Sequence, residues 1–83
     1  MVSSDHRQSL YSYFKVNGQL VKLPHVDILY AQSIKDYILL KTIDRSFIIH
    51  MTMRSLSELL PEGQFRRIHR SYLVNLTHVT KMG

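Results

Sequence analysis

The sequence predicts a mainly β fold, built of short antiparallel sheets with one short helix. Three observations carry that prediction. An Asn17-Gly18 pair stands between two stretches of alternating apolar and polar residues. This is the strongest short hairpin signal, because both central turn residues need positive φ. Further short runs of β-prone residues follow, and no connection is long enough for repeated parallel crossovers. Apolar residues recur at helical spacing in one place only, at Met53, Leu56, Leu59 and Leu60.

Taken in order, Phe14-Lys15-Val16 and Gln19-Leu20-Val21-Lys22-Leu23 flank the turn, with Leu20 out of step with the alternation. Pro24 ends the second strand or confines it to an edge. Residues 26–31 read as the next strand, with Val26, Ile28 and Tyr30 on one face and a polar break at residues 32–36. Residues 37–42 are apolar on both faces for most of their length, which suits a central strand. Asp44-Arg45-Ser46 is a turn, and Phe47-Ile48-Ile49-His50 pairs back. Ser55-Leu56-Ser57-Glu58 fits a capping box, with Thr52 as the alternative cap. Pro61 and Gly63 stop the helix. Residues 72–75 form a strand, and residues 79–82 read as the start of another.

Composition narrows the function. Eighty-three residues make one small domain. Residues 1–12 read as a polar linker and residues 13–83 as the domain. Apolar content of 45% and charged content of 20% argue against disorder. There is no cysteine, so disulfides, thiolate catalysis and cysteine zinc sites are excluded, in keeping with a reducing cytoplasm. No apolar run approaches the roughly 18 residues of a membrane span, and residues 1–8 lack the apolar core of a signal peptide. The five histidines show no metal-like pairing, Ser71 after His69 forms no triad, and the scattered glycines make no phosphate loop. The motifs call for no enzyme, no metal and no cofactor.

Net charge is +5, and its placement matters more than its size. All six acids precede Gln64, whereas Arg66, Arg67, Arg70 and Lys81 follow it. A one-sided basic segment suits a polyanion, nucleic acid or an anionic membrane surface; the plainer reading is a solvated face kept for solubility. As one regular strand, residues 65–75 would have no cleanly apolar face. The segment is therefore expected to bend or bulge near Arg70, turning cations outward. His69, between Ile68 and Tyr72, reads more readily as a structural hydrogen-bonding residue than as a contact.

Phe65-x-Arg67-x-His69-Arg70-Ser71-Tyr72-x-Val74-Asn75 resembles the central signature of the LytTR-type DNA-binding domains. Asp27-Ile28-Leu29-Tyr30, Asp36-Tyr37 and Ser55-Leu56-x-x-Leu59 resemble the family's other landmarks in order and spacing. The resemblance runs over about residues 14–81. It implies the output domain of a bacterial two-component response regulator, whose loops enter successive major grooves of double-stranded DNA at promoter direct repeats. A receiver domain is implied in the full-length protein, and no membrane. Carried over by position, Tyr37 is the groove-reading residue with Lys35 beside it. Arg70 lies near the intervening minor groove, and Arg67 holds a phosphate. On the DNA-binding reading Lys35 and Arg66 are further candidate phosphate contacts. His69 and Ser71 complete the candidate set. The family continues with a further hairpin carrying another basic contact, so the domain is expected to be truncated, with a strand edge exposed on which a second copy can pair. A protein-interaction or dimerisation module using that edge is the alternative. Single-stranded RNA binding through Tyr37 and Tyr72 is a third reading.

Overall fold

The structure, a computed structural model, describes residues 10–79. Strands β1 (Tyr11–Val16) and β2 (Gln19–Pro24) form the expected hairpin. Asn17 and Gly18 both take positive φ, 52° and 80°. Leu20, out of phase with its strand, is 70% exposed opposite Lys15. Tyr11 and Ser12, on the linker side of the expected boundary, already lie in β1. Ser12 is buried, and its hydroxyl bonds His25 Nε2 at 2.7 Å.

Pro24 closes β2, and a 3-10 turn (His25–Asp27) leads into β3 (Ile28–Ile34). Here the structure corrects two expectations. Val26 is not a strand residue sharing a face with Ile28 but part of the turn, and is 58% exposed. A bulge between Ile28 and Tyr30 then shifts the phase, so Ile28 and Ala31 are the residues that go inside. Gln32-Ser33-Ile34 is no break: β3 runs through it, because β4 pairs with all three residues and β7 with Gln32. Ladder bonds on two sides outweigh the weak strand preference of half-buried Gln32 and Ser33.

β4 (Tyr37–Thr42) and β5 (Ser46–Ile49) follow as a hairpin. The buried Thr42 hydroxyl donates to the Arg45 carbonyl at 2.8 Å and closes its turn. Helix α1 (Met53–Leu59) starts at Thr52, whose Oγ1 accepts from the Ser55 amide at 3.0 Å. Thr52 is thus the cap rather than Ser55. Met53, Leu56 and Leu60 are buried, whereas Leu59 is 44% exposed. β6 (Phe65–His69) and β7 (Tyr72–Asn75) make the last hairpin. A second one-turn helix, α2 (Leu76–Val79), stands where a further strand was expected to begin; residues 80–82 lie outside the described residues.

The two sheets are β1-β2 and a five-stranded antiparallel sheet in the order β5-β4-β3-β7-β6. β4 is interior, as its apolar content suggested. Register places Leu73, Ala31, Leu40 and Phe47 in one row across the sheet. That face carries the core, closed by Phe14 and Leu23 of the hairpin and Met53, Leu56 and Leu60 from the helix. The opposite face carries Tyr30, Leu39 and Val74, which are half-buried, and Ile48 and Tyr72, which are exposed. Asn75 is fully buried. Its amide donates to the carbonyls of His25 (3.1 Å) and Ile28 (2.8 Å), and its oxygen accepts from the Thr77 amide at 2.9 Å. One side chain thereby ties the end of β7 to the turn that launches β3.

Candidate nucleic-acid interface

The sheet order brings two turns to one end of the molecule. The turn Lys35-Asp36 joins β3 to β4, between paired Ile34 and Tyr37. The turn Arg70-Ser71 joins β6 to β7, between paired His69 and Tyr72. Because β3 and β7 are hydrogen-bonded neighbours, the turns lie side by side, joined by the Ser33 amide donating to the Ser71 carbonyl at 2.8 Å. The carboxyl end of β5 reaches the same edge, and His50 stacks on Tyr37 with ring centroids 5.9 Å apart and planes 29° apart. The edge therefore reads His50, Tyr37, Lys35, Ser71, Arg70 and His69. Four strand spacings of about 4.8 Å make it roughly 19 Å long.

The cations here are not held by carboxylates. The ion pairs among the described residues are Arg45–Asp44 and Arg54–Glu58, both highly exposed and both elsewhere. Asp36, beside Lys35, is the acid within the two turns. Lys35 and Arg70 are exposed. Lys35 also takes φ 51°, a left-handed backbone that non-glycine residues rarely adopt.

Arg67 does more than project. Its Nη2 donates to the Arg70 carbonyl at 2.8 Å and braces the turn from one ladder pair behind it. The bulge expected near Arg70 falls between Arg67 and His69, leaving Ile68 unpaired and 59% exposed. Arg66 pairs opposite Val74 and Arg67 opposite Leu73, so the two arginines start from opposite faces of the sheet. Arg66 lies roughly 13 Å behind Arg70 along the strand and is not brought to the edge. His69 accepts the Ser71 amide on Nδ1 at 3.1 Å and meets the Tyr72 ring edge-on at 6.1 Å, which leaves Nε2 for an outside partner. Ser71 is half-buried, and its backbone amide and carbonyl are both used within the protein. Of the two tyrosines that base stacking would require, Tyr37 is half-buried against His50 and Tyr72 is 37% exposed.

A family model described as the LytTr DNA-binding domain matches residues 18–83. The chain belongs to the LytTR DNA-binding domain family. It is 32% identical over 56 residues to the sensory transduction protein LytT of Bacillus anthracis, covering 68% of this chain and 23% of that one. To LytT of Bacillus subtilis strain 168 it is 30% identical over 67 residues, covering 81% of this chain and 28% of the relative. The chain thus spans about a quarter of the length of these curated relatives. A LytTr DNA-binding domain from Bacillus cereus shares the fold with a TM-score of 0.71 at 20% identity, over 84% of this chain and 64% of that one. Among the described residues of this LytTR domain, no cluster of three or more His, Asp or Glu could hold a metal, and no helix is long and apolar enough to cross a membrane.

Sequence reasoning did not bring out the place of His50 on this edge or the architectural role of Asn75. A hairpin centre between Ile43 and Asp44 would have set His50 opposite Tyr37, because paired positions in β4 and β5 sum to one constant. Sequence reasoning centred that turn one to two residues later. Asn75 stood inside the quoted signature, but nothing local pointed to its reach across 47 residues to the Ile28 carbonyl.

Proposed function

We propose that this chain recognises specific double-stranded DNA, as the output domain of a two-component response regulator working in the cytoplasm. One observation carries the reading: the Arg70 and Lys35 turns stand side by side on one sheet edge, with their cations outside any described ion pair. Lys35 and Arg67 hold phosphates, which position the domain without reading sequence. Tyr37 and Arg70 meet base edges, where sequence is read. His69 donates from Nε2 at the rim. Ser71 acts through its backbone, as the link between the turns. Arg66, set back on the outer face, reaches at most a flanking phosphate.

The roughly 19 Å edge covers about half of a 34 Å helical turn of DNA. Two copies on promoter direct repeats, each behind its own receiver domain, supply the remaining contacts. The test is fluorescence anisotropy with a labelled duplex selected from a random library, beside a mixed-sequence duplex, at several salt concentrations. With about three to five phosphates neutralised, log affinity falls against log salt with a slope of roughly −3 to −4.5. Arg70→Ala costs about 1–3 kcal/mol and relaxes the preference for the selected duplex. A flat salt response, or equal binding of both duplexes by wild type and variant, refutes the proposal.

One observation favours a second use of the surface. Among the described residues β6 pairs only with β7, so its outer edge offers unpaired backbone groups to a second copy. Sedimentation with and without DNA separates the two readings: self-association that DNA does not alter favours the dimerisation module.

A further inference from the structure

The β1-β2 turn reaches β5 and closes an open groove of about 300 Å³ lined by Lys15, Asn17, Gly18, Ile48 and His50. Lys15 and His50 are both exposed, and no carboxylate lines the groove. The turn that forms one wall is rigid in kind: Asn17 and Gly18 take consecutive left-handed conformations, which fix a tight two-residue connection. The groove also continues the edge already described, since His50 forms its floor on one side and stacks on Tyr37 on the other.

We propose that this groove binds a backbone phosphate of the DNA, one position beyond the groove-reading tyrosine. The inference rests on the DNA-binding reading above. Lys15 supplies a mobile ammonium with three donors, suited to a phosphate oxygen as a point charge. His50 supplies an imidazole N–H, a donor whichever tautomer it adopts, on a ring fixed by the stack with Tyr37. The Asn17 amide adds a neutral donor. The two-stranded sheet then serves two purposes, since its inner residues Phe14 and Leu23 close the core while its turn lengthens the DNA footprint. The footprint grows in the direction away from Arg70, so the charge runs along the duplex rather than piling up at one point.

The experiment uses a mixed-sequence duplex, because a phosphate contact is independent of sequence. Affinity is measured from 50 mM to 300 mM salt for wild type, Lys15→Ala, Lys15→Glu, His50→Phe and Lys22→Ala. Lys22 is the control: it has the same charge on the same hairpin, but its Nζ lies 4.1 Å from the centre of the Tyr11 ring and outside the groove. Lys15→Ala is expected to lower the salt slope by about one and affinity at 0.1 M salt about eightfold, and Lys15→Glu to lower it further. His50→Phe keeps a ring against Tyr37 but loses the donor, and weakens binding about two- to tenfold. Lys22→Ala changes affinity less than about twofold, as expected of an exposed charge that lies outside the proposed DNA contact. Lys15 is exposed, so thermal melting of its variants should match wild type. Unchanged slope and affinity in Lys15→Ala, or equal losses in Lys15→Ala and Lys22→Ala, overturn the groove while leaving the Arg70 edge standing. Wild-type protein without salt-dependent binding overturns the reading beneath it, and the groove with it.

Discussion

Arg67→Ala separates two roles that meet in one guanidinium, the proposed phosphate contact and the observed brace on the Arg70 turn. As a phosphate contact alone, Arg67 would weaken every DNA sequence alike and lower the salt slope by about one. But its Nη2 also donates to the Arg70 carbonyl at 2.8 Å. The bond lies on an exposed surface, so its loss lowers folding stability by only about 0.5–1 kcal/mol, or roughly 2–8 °C in a domain of this size. Its larger consequence is for aim. A loosened turn lets the Arg70 side chain sample directions that miss the base edge, so Arg67→Ala also reduces the preference for the selected duplex. The assay is a double-mutant cycle of Arg67→Ala and Arg70→Ala, reading anisotropy on selected against mixed-sequence DNA. Residues sharing one hydrogen-bonded turn are expected to couple by about 0.5–1.5 kcal/mol. Effects additive within about 0.3 kcal/mol, with sequence preference intact in Arg67→Ala, would show that the arginine braces nothing that matters to recognition.

Other perturbations have expected outcomes from the same geometry. Asn75→Ala removes three hydrogen bonds from a fully buried site and should cost about 2–4 kcal/mol, read by urea unfolding; a cost below about 1 kcal/mol would mean the strand-to-turn tie is dispensable. Lys35→Gly relieves a left-handed lysine at φ 51° and should raise stability by about 0.5–1 kcal/mol in calorimetry while weakening DNA binding; a lowered melting temperature contradicts the strain. Thr52→Ala removes the helix cap and should cost about 1 kcal/mol with DNA affinity unchanged after correction for the folded fraction, whereas Ser55→Ala should be much milder.

Much of the fold was legible because its signals are local. Asn17-Gly18 dictates a turn through two backbone conformations that few other residues accept. Pro61 follows the helix because it cannot continue one, and the exposure of Leu20 was visible in its broken alternation. The failures share a cause as well. Val26, Ile28 and Tyr30 were set on one strand face because a bulge and a 3-10 turn shift phase without leaving any mark on periodicity. Gln32 and Ser33 read as a break because their side chains are polar, whereas the pairing of β3 with β4 and β7 is a backbone matter. The site follows the same division. The basic cluster at residues 66–70 and the Lys35-Asp36-Tyr37 segment are each visible in the sequence. Their adjacency depends on β3 pairing with β7, Gln32 opposite Tyr72, which no local pattern encodes. Equally hidden was the split within the cluster, where register sends Arg66 and Arg67 to opposite faces and leaves Arg66 behind.

The shortness of the two turns has its own energetic logic. A long flexible loop that ordered only on DNA would lose roughly 1–2 kcal/mol of backbone freedom for each residue fixed. Here the tips are already tied. The Ser71 carbonyl takes the Ser33 amide, the Ser71 amide meets His69 Nδ1, and the Arg70 carbonyl takes the Arg67 guanidinium. For the two tip residues Arg70 and Ser71, that prior ordering corresponds to roughly 2–4 kcal/mol that the proposed binding need not supply. What remains free is the long side chains, whose charged ends can still adjust by rotamer changes. The cost is reach: in the proposed complex, turns this tight would penetrate a groove only by the length of a side chain. On the proposed reading the long side chains of Lys35 and Arg70 at the tips supply that reach, while backbone groups of the Arg70-Ser71 turn bond within the protein.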